Sequence, residues 1–238
     1  MPKKFHARVM QGSLKHKIIN KPVSIHGHDN ISPQKIKESV FQLISNITQD
    51  FNRCLFFDLY SGSGQMGIEA LSRGFQHVWF CEIHSKRLKN IREWIDKNSD
   101  FSNAGFSLAD AFRFIQKTIS RKQLSDYLTN DKKPNNIIFF ADPPYAEPEK
   151  NIAINIKLAK TILEYASRVD TQCTLISQNP YNEITAKKFT DDVDKLFDIA
   201  PPPNSSTEEP LKSAYAIDSI KSYEYGDHLV LSIHMDKK

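Results

Sequence analysis

Apolar residues along this 238-residue chain fall into a few uninterrupted runs, each ending in an acid or a turn. Leu55-Phe56-Phe57 stops at Asp58, His77-Val78-Trp79-Phe80-Cys81 at Glu82, and Asn136-Ile137-Ile138-Phe139-Phe140-Ala141 at Asp142. Residues 104–108, before Ala109-Asp110-Ala111, and 173–177 give two weaker runs. Short runs without alternation read as strands buried on both faces, the signature of a parallel sheet. Between them the period becomes helical: a helix over 67–73 stopped by Gly74, one carrying Leu88, Ile91, Trp94 and Ile95, one starting at Ala111, and a long one over 151–169. Ser32-Pro33, read as N-cap and N1 proline, opens an earlier amphipathic helix with Ile36, Val40, Phe41, Leu43, Ile44 and Ile47.

The two ends alternate instead. Residues 5–10 and 17–20, around Gln11-Gly12-Ser13, predict a short β-hairpin that carries lysines and contributes little to a core. Residues 220–225 and 228–234, joined at Gly226-Asp227, predict a closing antiparallel hairpin. Residues 120–135 read as a surface excursion, and the signal weakens from Pro180. The stretch Pro201-Pro202-Pro203-Asn204-Ser205-Ser206-Thr207-Glu208-Glu209-Pro210 lacks the apolar residues to pack and reads as a loop.

The turn after the first strand carries the first candidate chemistry. Gly62-x-Gly64-x-x-Gly67 allows a tight turn, close backbone approach to a ligand and close helix packing, and Glu82, twenty residues beyond Gly62, can accept both hydroxyls of a ribose. That is a nucleoside-cofactor site, with Asp58, Ser61, Gly62, Gly64, Gly67, Glu82, Asp110 and Ala111 as its candidate residues. Asp58 separates the cofactors: a pyrophosphate gains nothing from a carboxylate beside the turn, whereas the ammonium and sulfonium of S-adenosylmethionine (SAM) do. Asp110 can accept the adenine amino group or cap the helix that follows, and the sequence leaves both open.

Asp142-Pro143-Pro144-Tyr145 ends the fourth strand at the edge where Asp58, Glu82 and Asp110 end theirs, so all four are expected at one crevice. An exocyclic amino group is a poor nucleophile because its lone pair is delocalised into the base. Acceptors aimed at its hydrogens, the Asp142 carboxylate and the Pro143 carbonyl, favour the pyramidal, nucleophilic form. Pro143 and Pro144 fix the backbone, and Tyr145 offers a face on which an extruded base can stack.

Charge is lopsided. The chain carries +4, yet residues 1–37 hold eight lysines and arginines against Asp29 alone. A basic arm over 1–30 ahead of a catalytic domain over 31–238 is the footprint of a polyanionic partner, with Arg8, Lys15, Lys17, Lys35 and Lys37 as candidate RNA contacts. The alternative is a solvated tail. Cys54, Cys81 and Cys173 are too far apart for a disulfide framework or a zinc spacing, and no apolar run reaches membrane-spanning length, so a cytoplasmic, metal-free monomer is expected.

Asp58-Leu59-Tyr60-Ser61-Gly62-Ser63-Gly64, Ile68-Glu69-Ala70-Leu71-Ser72-Arg73-Gly74 and Asp142-Pro143-Pro144-Tyr145 together resemble the RsmD family of small-subunit rRNA guanine-N2 methyltransferases. Glu38-Ser39-Val40-Phe41 resembles the helix before that family's first strand, and Tyr225-Gly226-Asp227 its terminal hairpin. The resemblance implies a Rossmann-like class I SAM-dependent methyltransferase: an α/β fold with a seven-stranded, mostly parallel sheet, a terminal antiparallel hairpin and, here, a small N-terminal hairpin. It implies 16S rRNA or the small ribosomal subunit as partner and guanine 966 as target. Asn30-Ile31-Ser32 stands where the family has Arg-Pro-Thr, so whatever that arginine touches in the family goes without it here or is met by another group. Rival readings are methylation of adenine N6 in DNA or of a protein glutamine, an assembly factor that binds RNA without turnover, and a NAD oxidoreductase, which Asp58 disfavours.

Overall fold

The structure is a computed structural model, described here for residues 7–21, 23–24, 33–118, 127–128, 133–143, 148–180, 215–226 and 228–237. The chain divides into two compact units, Met1–Phe114 and Ile115–Lys238. Together they hold the strands of a mostly parallel seven-stranded α/β sheet with antiparallel end strands, ordered β3-β2-β1 in the first unit and β4-β5-β7-β6 in the second.

In the first unit, α1 (Gln34–Ile47) and a 3-10 turn (Phe51–Arg53) lead into β1 (Cys54–Asp58). The remaining elements are α2 (Gln65–Ser72), β2 (His77–Glu82), α3 (Ser85–Asn98) and β3 (Ala104–Leu108), and α4 (Ala111–Thr118) begins in this unit and runs past its last residue. The three strands pair in parallel, so Asp58, Glu82 and Leu108 close their strands at the same end. Every residue of β1 and β2 is buried, which is why both read as unbroken apolar runs. Phe41 of α1 stacks on Phe56 at 5.9 Å, Phe75 meets both edge-on, and the Arg73 guanidinium lies 4.5 Å above the Phe41 ring. Each fully buried ring contributes about 1.5–3 kcal/mol. Pro33 is the cap residue of α1 and not its first helical residue, and Ser32 lies outside the described residues.

The N-terminal segment pairs as a short hairpin: Val9 N–H donates to the Lys17 carbonyl (3.0 Å), His16 N–H to that of Val9 and Ile19 N–H to that of Ala7 (both 2.8 Å), around an antiparallel bridge between Arg8 and Ile18, and this strap is held against α2 and α3. The strap does feed the core: Val9, Leu14 and Ile19 are buried. Backbone amides dock it, Met10 and Gln11 N–H donating to the Glu69 carboxylate at 2.8 and 3.0 Å, Leu14 N–H to Ser72 Oγ and Ser13 N–H to the Ser72 carbonyl, both at 2.9 Å. Gly12 lies so close to α2 that a Cβ there would stand 1.7 Å from the Ser72 carbonyl oxygen. On the α3 side, Trp94 Nε1 donates to the Ile18 carbonyl (2.8 Å) and Arg87 Nε to that of Val23 (3.0 Å).

In the second unit, β4 (Asn136–Ala141) pairs in parallel with β5 (Gln172–Pro180), and α5 (Pro148–Val169) packs on them, with Tyr165 edge-on to Phe139 at 5.6 Å. The antiparallel hairpin is longer than its sequence signal, with β6 (Tyr215–Tyr225) and β7 (His228–Lys237), and β7 pairs antiparallel with β5. β5 likewise runs past Ser177 to Pro180, and α5 starts three residues before Asn151. Most of the expected excursion over 120–135, and all of 181–214, lie outside the described residues.

Candidate active site

The turn between β1 and α2 is built on two carboxylates. Asp58, 1% exposed, accepts the Gly67 N–H on Oδ2 at 3.0 Å, supplying a negative partner to the backbone donors at the buried start of α2. Glu82 accepts the Gly62 N–H on Oε2 and the His84 N–H on Oε1, both at 2.9 Å, so its carboxylate is held in one orientation while each oxygen keeps a second lone pair. Ser61 closes the loop between the strands, its amide donating to the Cys81 carbonyl (3.1 Å) and its hydroxyl to that of Asp58 (2.9 Å). Gly62 and Gly64 both take positive φ, 53° and 77°. Gly67 allows the closest approach, since a Cβ there would meet the Phe80 ring of β2 at 2.2 Å. Gly62 and Gly64 thus make the tight turn, and Gly67 the close helix packing, expected from their spacing.

Other groups at this end of the first unit were not singled out from sequence. Ser63 Oγ is buried in the turn without a hydrogen-bond partner, a costly state that a bound polar ligand would relieve. Ile83, 65% exposed, follows Glu82, and Leu108, 59% exposed, is paired with Glu82 in the β2–β3 register. The sequence signal for Ile83 was an apolar residue continuing one step past a strand's terminal acid. Asp110, which is exposed, accepts the Arg113 N–H on Oδ1 at 3.0 Å, the helix-capping arrangement, and Ala111 is buried as the first residue of α4. A nucleoside with a cationic arm fits these donors and acceptors: ribose acceptors at Glu82, a negative rim at Asp58, an unpartnered hydroxyl at Ser63 and apolar surface at Ile83 and Leu108.

In the second unit, Asp142 is half-buried and Pro143 buried immediately after β4, while Pro144 and Tyr145 lie outside the described residues.

The cations divide. Arg8, Lys15, Lys17 and Lys35 are exposed, and Lys17 Nζ reaches the Asn98 carbonyl at the end of α3 (2.7 Å). Lys37 corrects the expectation of an RNA-facing lysine. It is 1% exposed, its ammonium lies 3.3 Å from Glu69 Oε2 and donates to the Arg8 carbonyl, and burial lowers its pKa against the opposing pull of Glu69. Lys37 is a structural partner of the strap. Among the described residues no group of three or more His, Cys, Asp or Glu side chains is placed to hold a metal, and no helix is long and apolar enough to cross a membrane.

Residues 7–192 match the family described as Conserved hypothetical protein 95. The chain belongs to this family, the RsmD family that its motifs resemble. It is 30% identical over 178 residues to "Ribosomal RNA small subunit methyltransferase D" of Buchnera aphidicola subsp. Baizongia pistaciae, covering 71% of this chain and 81% of that protein. It is 32% identical over 113 residues to "Putative rRNA methyltransferase YlbH" of Bacillus subtilis, covering 48% of this chain and 54% of the relative, so the match spans about half of that protein's length. Among solved structures, a "Putative methyltransferase" of Escherichia coli superposes with a TM-score of 0.56 at 12% identity, covering 98% of this chain and all of that one. A "putative methyltransferase complexed with SAH" superposes with a TM-score of 0.50 at 12% identity, covering 84% of this chain and 48% of the other. These two likenesses establish the Rossmann-like methyltransferase fold.

Proposed function

We propose that this protein transfers the methyl group of SAM to the exocyclic N2 amino group of a guanine in small-subunit rRNA, guanine 966 by the family resemblance. The observation that carries the reading is the Asp58 carboxylate on the Gly67 N–H. A helix N-terminus attracts anions, and a dinucleotide's pyrophosphate would use that attraction. Here the chain supplies its own anion at that place, which disfavours a phosphate and favours a cationic ligand. Bound there, SAM would supply an electrophilic methyl carbon on a sulfonium.

The chain's own residues do the rest. Glu82 accepts the ribose hydroxyls, Ile83 and Leu108 flank the adenine, Ser63 gains a partner, and Asp110 and the Ala111 amide stand at the adenine edge. Asp142 and the Pro143 carbonyl accept from the target amino group, concentrating its lone pair on nitrogen, and Tyr145 stacks the extruded base. Support for rRNA as the substrate comes from the names of the relatives and from the exposed cations Arg8, Lys15, Lys17 and Lys35.

The test is transfer of label from methyl-labelled SAM to rRNA, DNA and protein offered in parallel. Label is expected in rRNA and, after digestion, in guanosine. Label in DNA adenine or protein glutamine would replace the substrate, and SAM binding without transfer would make the protein a binding factor.

A further inference from the structure

We propose that Gln178, at the end of β5, reads the target base as guanine by accepting its N1–H beside the amino group that Asp142 holds; this rests on the reading above. β4 and β5 pair in parallel with Ala141 opposite Ser177, so Asp142 and Gln178 are the next residues along neighbouring strands about 4.8 Å apart. Asn136 of β4 and Thr174 of β5 hydrogen-bond across one face at 3.3 Å, and alternation by two places Gln178 on that same face.

Gln178 is 4% exposed, and its Oε1 is buried with no hydrogen-bond partner. Its Nε2 lies 3.4 Å from His228 Nδ1 on β7. A neutral imidazole with its proton on Nε2 accepts there, so the amide nitrogen is tied to the histidine and the amide oxygen is turned away from it. Folds keep few buried acceptors without donors. This one lies beside the strand that ends in the proposed acceptor Asp142.

The chemistry of the ligand follows from what two neighbouring acceptors can bind. The Watson–Crick edge of guanine presents two adjacent donors, N1–H and N2–H, and an extruded base is read on that edge. Adenine presents N6–H beside the unprotonated N1, whose lone pair would face the Gln178 oxygen. A site built to receive an N–H discriminates strongly against an analogue lacking it.

The experiment compares rRNA carrying guanine at the target with rRNA carrying 2-aminopurine there, which keeps the amino group and replaces N1–H by a lone pair. The wild-type protein should prefer guanine in kcat/KM by roughly tenfold to a hundredfold beyond any intrinsic difference. Gln178→Met, of similar length without the acceptor, should lose most of that preference at unchanged SAM affinity. Gln178→Glu, which keeps an acceptor oxygen, should retain it. If thermal melting shows that Gln178→Met does not fold, His228→Leu carries the test: the untied amide can turn its nitrogen toward the lone pair, and the preference should again fall. A guanine preference unchanged in Gln178→Met, or in His228→Leu where that variant is needed, overturns the proposal. Failure of the underlying reading would show differently, as a wild-type product that is not N2-methylguanosine.

Discussion

At the scale of single residues, groups that serve the reaction separate from groups that serve the fold. With Asp142 proposed to accept from the target amino group, Asp142→Ala should bind SAM nearly normally and slow single-turnover methylation by roughly a hundredfold or more, because the missing hydrogen bond is one that strengthens as the nitrogen pyramidalises. A near-native rate would remove Asp142 from the mechanism. His77 belongs to the second class. Burial on β2 pushes its pKa down to about 4 from an ordinary 6.5, and its ring lies 3.8 Å from that of Trp79. Because the folded pKa is depressed, the unfolded chain takes up this proton first as pH falls, so the contribution is complete above pH 6.5 and is lost down to about pH 4, at about 1.4 kcal/mol per pH unit. His77→Phe should flatten that part of the stability curve, read as melting temperature against pH, and an unchanged acid slope would contradict the burial argument. Asp58 and Glu82 are legible in the sequence because each ends an apolar run. Ser63 and Gln178 are not, because an unpartnered polar atom is a fact of three dimensions that no pattern records.

At the scale of elements, one helix holds two different things. The start of α2 carries the Gly67 N–H that Asp58 accepts, while Glu69 and Ser72 further along bind the strap. Glu69 is fully buried and receives four donors: the amides of Met10 and Gln11, Arg73 Nε at 2.9 Å and the Lys37 ammonium. Glu69→Ala should cost about 3–5 kcal/mol in denaturant unfolding, because it leaves the Lys37 charge buried without its counter-charge. Pairing that change with Lys37→Met should restore much of the loss, and a double variant no better than the single would contradict the ion-pair account. The strap keeps its alternation, with Arg8 and Ile18 exposed beside buried Val9 and Ile19, but its contribution to the core is hidden from the sequence because three buried residues, Val9, Leu14 and Ile19, are spread over eleven positions, and Lys37 looks from sequence like any other cation on an amphipathic helix. β1, β2 and β4 follow their pattern because strands buried on both faces are apolar throughout. β6 ends the strand order, and its mixed burial hides its first residues, Tyr215 to Ser219, from a reading of apolar runs.

At the scale of the whole molecule, family membership and fold agree with the motifs, and the mostly parallel sheet with an antiparallel end is readable from the order of runs. The basic N-terminal segment is docked through backbone groups, which leaves side chains such as Lys15 and Lys17 exposed on the strap. Replacing Lys15 and Lys17 by glutamine should weaken rRNA binding and reduce its salt dependence by about one unit of slope for each phosphate no longer neutralised, with SAM affinity unmoved. An unaltered slope in filter binding across salt concentrations would make those lysines a solvated surface. Whether this chain methylates one guanine of small-subunit rRNA on N2 is decided by mass spectrometry of rRNA from cells with and without the protein. The expected result is one N2-methylguanosine, at guanine 966, missing without the protein and restored by the wild type but not by Asp142→Ala; an rRNA methylation pattern identical in the two cells would contradict the proposed activity.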